Sequence, residues 1–598
     1  MSVAYAVTWT DSRPIRRVSA LLLALALVSA SIGAAFRAPG APSLAVIVRS
    51  TADSLAGAER LVESLGGRID LPLAIINGFR ATIPAAALER LTGSPQIWSV
   101  TPDSPVHVNA VDPSLGYDTA DDGSPYLVAK AVGATQAWQA GYTGAGVDVA
   151  MIDTGVVPLP ELNGRVVNGP DLSPESQVDA LRYLDSYGHG THMAGLIAGR
   201  DPSLPAGQVA TSSNYTGVAP GARVVSVKVS TYNGATDVSQ VIAAIDWVVQ
   251  HRQSGDLNIR VLNLSFGTDG TQDYRLDPLA FAAEVAWHSG IVVVAAAGNE
   301  GFGNAKLNDP AYDPFIIAVG ADDTRGTAGS GNDRVPDFSA RGDGRGVDFV
   351  APGRSVISLR AAGSYIDTNH PEGRVGERFF RGSGTSQAAA VTSGVVALLL
   401  EQRPNLTPDQ VKFILRGSAA PLPAETSVAK GKGLVSVTRA LVFETPAASA
   451  YVQHFDRSTG LGTFEGARGT QRLTDNGIEL VGEQDVFGRA FSTADWAPRA
   501  AAGTSWNGGE WMGSSWTGSS WTGSSWTGSS WTGLSWTGSS WTGSSWTGSS
   551  WTGSSWTGSS WTGSSWTGSS WTGSSWTGSS WTGSLWTAKF WSGVGWGP

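Results

Sequence analysis

The chain has 598 residues, a formal net charge of −10 and no cysteine. The lack of cysteine excludes thiol nucleophiles, thiolate metal sites and disulfides, and an acidic balance without a basic stripe argues against a nucleic-acid partner. A chain this long has room for several domains and can bury a large core without cross-links.

Near the N-terminus, Arg13, Arg16 and Arg17 precede the apolar run "VSALLLALALVSASIGAA" (18–35), which ends in small residues. Basic region, apolar stretch and small-residue exit read as a secretory signal peptide over 1–38. A permanent anchor is the alternative, since about 18 apolar residues can just span a bilayer; the serines and glycine near the end favour cleavage. The chain is therefore expected to be secreted and extracellular, free or at the cell surface.

Residues 43–110 read as a small α+β unit. "LAVIVR" (44–49) is a strand pattern and "SLAGAERLVESLGG" (54–67) an amphipathic helix. "INGFRATIP" (76–84) and "QIWSVTPDSPVHV" (96–108) are further strands flanking a second helix, "AAALERLTG" (85–93). That order fits a ferredoxin-like β-α-β-β-α-β motif, and its place between a signal peptide and a larger domain suggests a propeptide.

Over 132–443, strands alternate with longer helices. "VDVAMI" (147–152), "RVVSVKV" (223–229), "IRVLNLSF" (259–266) and "IVVVAAAG" (291–298) are almost wholly apolar, as strands buried on both faces of a parallel sheet are. Helical patterns occupy 237–252 and 278–290, and "TPDQ" (407–410) offers a capping box. The alternation predicts an α/β domain with a doubly wound, mostly parallel sheet. Residues 444–500 show no usable periodicity and read as a linker or an unassigned segment. From 501 to 598 the chain is a pentapeptide repeat, mostly "SSWTG", with tryptophan at every fifth position from Trp506 to Trp596. Five matches neither the 3.6-residue helix period nor the two-residue strand period, so a flexible low-complexity tail is the default expectation.

Three polar signatures fall where a doubly wound sheet gathers its ligands. Asp153 follows a strand in "AMIDTGV", His189 of "DSYGHGTHMAG" (185–195) lies just before a small-residue helix (191–199), and Ser386 follows the glycine-rich turn of "RGSGTSQAAAV". Singly, each reads as well as a turn residue or a helix cap. Together they supply a hydroxyl, a base to take its proton, and a carboxylate to fix and stabilise that base. Asn299, ending "VVAAAGN", adds a donor for an oxyanion, beside the Ser386 backbone N–H. His189 and His192 share a helix face at i, i+3 and so raise metal binding too. A zinc protease helix instead uses H-E-x-x-H with a glutamate base, which is missing here. "DTG" also suits an aspartic protease, but that chemistry needs two carboxylates sharing a proton and the motif occurs once.

The motifs "DTG", "HGTH", "AAGN" and "GTS", in that chain order, resemble the subtilisin-like serine proteases over about 132–443. The resemblance implies a secreted serine endopeptidase acting on protein or peptide substrates through an acyl-enzyme. It assigns Asp153 to orienting the base, His189 to the base, Ser386 to the nucleophile and Asn299 to the oxyanion. It further implies that Ser265, Phe266 and Gly267 of "LNLSFG" line the substrate cleft, that His192 is structural, and that 43–110 is an intramolecular inhibitor. No cofactor is needed for this chemistry. Structural calcium stays open and unlocated, because "GRDPSLPAGQVATSSNYTG" (199–217) does not match the family's calcium loop. Two departures stand out: Ala390 replaces the usual proline after the nucleophile, and Gln387 replaces the common methionine. A surface- or glycan-binding protein with a degenerate protease domain is the rival reading. The tryptophan repeats, at fixed spacing, are expected to tether the chain to a surface or polymer, a polysaccharide or cell-envelope glycan first, with self-association or a passive flexible tail as the alternatives. Residues 501–598 would then be dispensable for peptide-bond cleavage.

Overall fold

The computed structural model describes residues 43–51, 54–73, 76–102 and 114–515, apart from short gaps at 179, 302–305, 343, 476–477, 487 and 508, together with strand segments of the repeat between 520 and 572. The expected signal peptide lies outside the described residues, as do 103–110. The chain divides into two compact units, 1–105 and 106–598.

In the first unit, β1 (Ser43–Ser50), α1 (Leu55–Ser64), β2 (Arg68–Leu73), β3 (Gly78–Pro84), α2 (Leu88–Thr92) and β4 (Ile97–Pro102) follow the expected order. The antiparallel sheet runs β2-β3-β1-β4. Alternation in β1 and β3 turns Val46, Val48, Phe79, Ala81 and Ile83 to one face, where Ala58, Val62 and Leu91 of the helices cover them. This small core is the unit's own.

The second unit is built on β5 (Asp148–Asp153), β6 (Val166–Asp171), α3 (His189–Ala198), β7 (Arg223–Lys228), α4 (Val238–His251), β8 (Ile259–Leu264), α5 (Pro278–His288), β9 (Val292–Ala296), β10 (Ile317–Asp322), β11 (Phe349–Pro352), α6 (Tyr365–Asn369), α7 (Thr385–Gln402), α8 (Pro408–Ser418) and α9 (Thr493–Ala502). The central sheet runs β11-β10-β9-β8-β5-β7-β6, and every pairing in it is parallel. After β5 the chain builds β6 and β7 on one side and β8 to β11 on the other, so the strand order reverses beside β5. That is where such sheets open a crevice at their carboxyl ends. α7 is apolar around nearly its whole circumference and buried from Thr385 to Leu400. It brings Ser386 to the crevice from inside the molecule.

The capping box before α8 forms as predicted, with Thr407 Oγ1 accepting from Gln410 N and Gln410 Oε1 from Thr407 N. Strands β6, β10 and β11 extend the sheet beyond the four apolar runs, β10 from an equally apolar stretch, "FIIAVGA" (315–321).

Residues 444–515 differ most from expectation. They are not a linker: Phe464, Ala467, Leu473, Val486, Trp496, Trp506 and Trp511 belong to the main core. Arg468, fully buried, pairs at 2.8 Å with Asp237, which caps α4. The indoles of Trp496 and Trp511 both donate to Asp246 Oδ2 on α4, at 2.8 and 2.7 Å. These anchors are single polar contacts between residues more than 200 positions apart, which no periodicity announces. The first two tryptophans of the repeat, Trp506 and Trp511, are thus core residues and not part of a flexible tail.

The repeat also departs from a flexible chain. Its described segments form parallel strands whose partners lie twenty residues apart, as in Trp521 with Trp541 and Trp541 with Trp561. Trp531 pairs with Trp551 and Trp551 with Trp571 in the same way. Four pentapeptides return the chain to the same residue type, so each coil lays identical residues beside those of the last.

Candidate active site

Asp153 is the last residue of β5 and His189 the first of α3. Asp153 Oδ1 lies 2.8 Å from His189 Nδ1, with both side chains fully buried. The same oxygen accepts from Thr154 N at 2.8 Å. The carboxylate therefore faces an imidazole, not the second carboxylate an aspartic protease would need.

What fixes this pair was not legible in the motifs. Asp185, buried behind them, accepts from Thr154 Oγ1 (2.7 Å), Gly188 N (2.6 Å) and Thr191 N (2.7 Å). Thr154 Oγ1 in turn accepts from Gly190 N at 2.9 Å. The end of β5 and the start of α3 are thereby tied through one carboxylate, whose burial pushes its pKa up against those hydrogen bonds. The glycine of "HGTH" has a steric cause: a Cβ on Gly190 would sit 2.2 Å from the Gly155 carbonyl oxygen. Only glycine lets the helix approach this closely.

Ser386 lies in the first turn of α7, and its hydroxyl donates to the Ser265 carbonyl at 2.8 Å. Ser265 Oγ donates back to the Ser386 carbonyl at 3.2 Å, and Asn263 braces both: its Nδ2 donates to Ser265 Oγ and its Oδ1 accepts from Ser393 Oγ. Asn299 follows β9. Its Oδ1 is held by Thr385 N (2.9 Å) and Thr385 Oγ1 (3.1 Å), while its Nδ2 is buried and makes no hydrogen bond. The amide is thus locked by its acceptor and keeps its donor free.

The sequence model of the subtilase family matches residues 144–462, a span that contains all four residues. The chain belongs to the subtilase family. It is 38% identical over 301 residues to the serine protease AprX of Bacillus subtilis (strain 168), covering 49% of this chain and 66% of AprX. Subtilisin J of Geobacillus stearothermophilus is 30% identical over 425 residues, covering 70% of this chain and 96% of that protein. Among solved structures, fervidolysin from Fervidobacterium pennivorans matches with a TM-score of 0.43 at 25% identity, over 69% of this chain and 63% of that one. This subtilase is a serine endopeptidase.

The other residues singled out in the sequence divide. His192 turns away from a metal role: its Nε2 donates to the Phe380 carbonyl at 3.1 Å, and burial, aided by the nearby His189, lowers its pKa to about 3. A neutral ring with one nitrogen spent on a carbonyl is structural. Phe266 is buried in the core, so its part in a cleft is limited to its backbone. Gly267 is pressed against Asn308, whose Cβ would lie 2.7 Å from a Cβ at 267. Ala390 is fully buried in α7. Gln387, next to Ser386, is buried with neither amide atom hydrogen-bonded.

The donors around 199–217 do not suit calcium. Asp201 accepts from Ser203 N and Oγ and from Arg378, and Arg378 also binds Glu161 at 2.8 Å. A guanidinium thus already neutralises the two carboxylates a cation would need. Among the described residues, no group of three or more His, Asp or Glu is arranged to hold a metal, and no helix is long and apolar enough to cross a membrane.

Proposed function

We propose that this subtilase cleaves protein or peptide substrates through an acyl-enzyme on Ser386, with His189 as base, Asp153 as its orienting carboxylate and Asn299 as oxyanion donor. The 2.8 Å contact of Asp153 with His189 Nδ1 carries the reading. It leaves Nε2 as the basic nitrogen, because the carboxylate holds the proton on Nδ1.

The Ser386 hydroxyl first rotates off the Ser265 carbonyl towards His189. Nε2 takes its proton as Oγ attacks the scissile carbonyl carbon, and Asp153 stabilises the resulting imidazolium. The negative charge formed on the substrate oxygen accepts from Asn299 Nδ2–H and from the Ser386 N–H at the α7 N-terminus, where backbone donors lack helical partners. Collapse breaks the C–N bond, and His189 returns the proton to the departing amine. Water then repeats the sequence against the ester. No cofactor enters any step.

The same reading makes the chain an exported precursor, with 1–38 as signal peptide and 43–110 as an inhibitor removed by self-processing. The independent core of 43–102 supports a separable unit. Purified Ser386→Ala protein is expected to retain 43–110 on N-terminal sequencing; normal maturation without added protease would overturn self-processing. The repeat beyond Ser515 is proposed as a glycan tether, supported by the register that sets equivalent tryptophans on neighbouring strands. Retention on insoluble glycan by the full chain but not by a form ending at Ser515 is expected, and equal retention would refute it.

A further inference from the structure

At the end of β10 two buried aspartates face each other. Asp322 is the strand's last residue, and Asp333 lies where the loop that follows returns to it. The residues just after them pair as an antiparallel bridge: Asp323 N donates to the Arg334 carbonyl at 2.8 Å and Arg334 N to the Asp323 carbonyl at 3.1 Å. Side chains alternate along extended chain, so Asp322 and Asp333 turn to the face opposite the bridge partners, as diagonal neighbours. Both residues are 1% exposed, and none of their four carboxyl oxygens receives a hydrogen bond from an N–H or O–H group.

Among the described residues, the charged groups around this pair cancel. Asp323 is paired with Arg354 at 2.8 Å, and Asp122 lies beside it. Glu425 accepts from Val335 N at 3.2 Å and approaches Arg334 at 4.0 Å, while Arg325 and Arg334 both act on Asp333. Acids and guanidiniums are matched, which leaves no surplus cation for Asp322 and Asp333. Two adjoining carboxylates in a buried site cannot both ionise, because burial penalises each charge and each charge penalises the other. Burial, then the charge of Asp333, holds the Asp322 carboxyl well above its ordinary range, and burial raises Asp333 to about 7. The two side chains are within hydrogen-bonding reach of each other.

We infer that Asp322 and Asp333 share one proton, in a carboxyl–carboxylate hydrogen bond that latches the base of the loop 323–334 and opens as the pH rises to neutrality. One acid donates its O–H to the other's oxygen; when solvent takes that proton, two like charges are left in contact and the loop is pushed from the strand. The loop's tip already faces water, with Arg325, Ala328, Gly329, Gly331 and Asn332 exposed. The latch also reaches the turn before Ser386. Gly353 N donates to the Asp322 carbonyl at 2.9 Å, and Gly384 N donates to the Gly353 carbonyl at 2.8 Å. With the folded pKa raised above the unfolded one, the stabilisation is full below about pH 4 and is lost as pH rises through about 7.

The test is amide hydrogen exchange read by mass spectrometry on the full Ser386→Ala chain, across a pH series and corrected for the intrinsic exchange rate. Fragments covering 323–334 report the bridge amides, and fragments covering 350–384 report Gly353 and Gly384. Protection of both should fall about tenfold per pH unit between about pH 5 and 7, where the closed latch binds one proton more than the open one, and level off above. In the same chain, Asp333→Asn and Asp322→Asn each supply an amide donor in place of the titrating proton, so they should flatten the profile and keep 323–334 protected at high pH. A flat profile over 323–334 without these substitutions overturns the inference whatever the variants do, and so does a slope that persists in both. Protection that rises with added calcium chloride and vanishes in both variants would mean that a cation joins the carboxylates, and overturns it as well. A slope confined to 323–334, with 350–384 flat, refutes the reach to the turn before Ser386.

Discussion

Ending the chain at Arg499 should destabilise the peptidase domain severely, whereas ending it at Ser515 should not. The shorter form loses Trp506 and Trp511, which are 7% and 0% exposed. The Trp506 indole donates to the Ala243 carbonyl and its backbone N–H to Gln250, both at 2.7 Å, while Trp511 stacks on Phe491 with centroids 5.3 Å apart. Removing a buried tryptophan side chain costs about 3–5 kcal/mol, so the pair is worth roughly 6–10 kcal/mol. Whole domains are stable by only about 5–15 kcal/mol. At about 2 °C per kcal/mol for a large domain, Tm should fall by at least ~12 °C. The assay is calorimetry of three Ser386→Ala proteins, ending at 598, 515 and 499, so that self-digestion does not intrude. A Tm for the Arg499 form within about 2 °C of the others would refute the claim that these tryptophans complete the core.

Other expectations follow from the same contacts. Asn299→Ala should lower kcat by roughly 10²–10³ with little change in KM, the loss known for the corresponding donor of subtilisin; a raised KM at constant kcat would contradict the oxyanion role. Gly190→Ala places a methyl 2.2 Å from the Gly155 carbonyl, so α3 must shift; a displacement near 1 Å should cost about 10² in kcat/KM, and near-normal kinetics would refute the steric argument. Burial raises the Asp246 carboxyl to about 6 despite the hydrogen bonds from Trp511 and Trp496. With the folded pKa above the unfolded one, its contribution is full below about pH 4 and is lost as pH rises through 6, some 3 kcal/mol in all. Asp246→Asn should flatten stability against pH across that window in denaturant titrations, and an unchanged slope would refute it.

The motifs pointed to Asp153, His189, Asn299 and Ser386 because each offers a particular chemistry at a strand end or helix start, and the structure brings Asp153 to His189. The buried strands β5, β7, β8 and β9 were legible as almost wholly apolar runs. β11, only four residues long, offered no such run. The supporting residues were hidden for a different reason. Asp185 and Thr154 look like ordinary turn residues until their partners, separated by 31 positions, are seen together. Arg468 reads as surface charge, and only its pairing with Asp237 across 231 positions reveals a buried anchor. Likewise the tryptophan period suggested an unstructured tail because a twenty-residue coil is invisible to tests tuned to single helices and strands.

The most direct measurement is mass spectrometry of the purified, matured protein after reaction with a serine-directed phosphonate. A single adduct on Ser386, lost in both His189→Ala and Ser386→Ala, is the predicted result. An adduct on another residue, or labelling of Ser386 that persists without His189, would contradict the account.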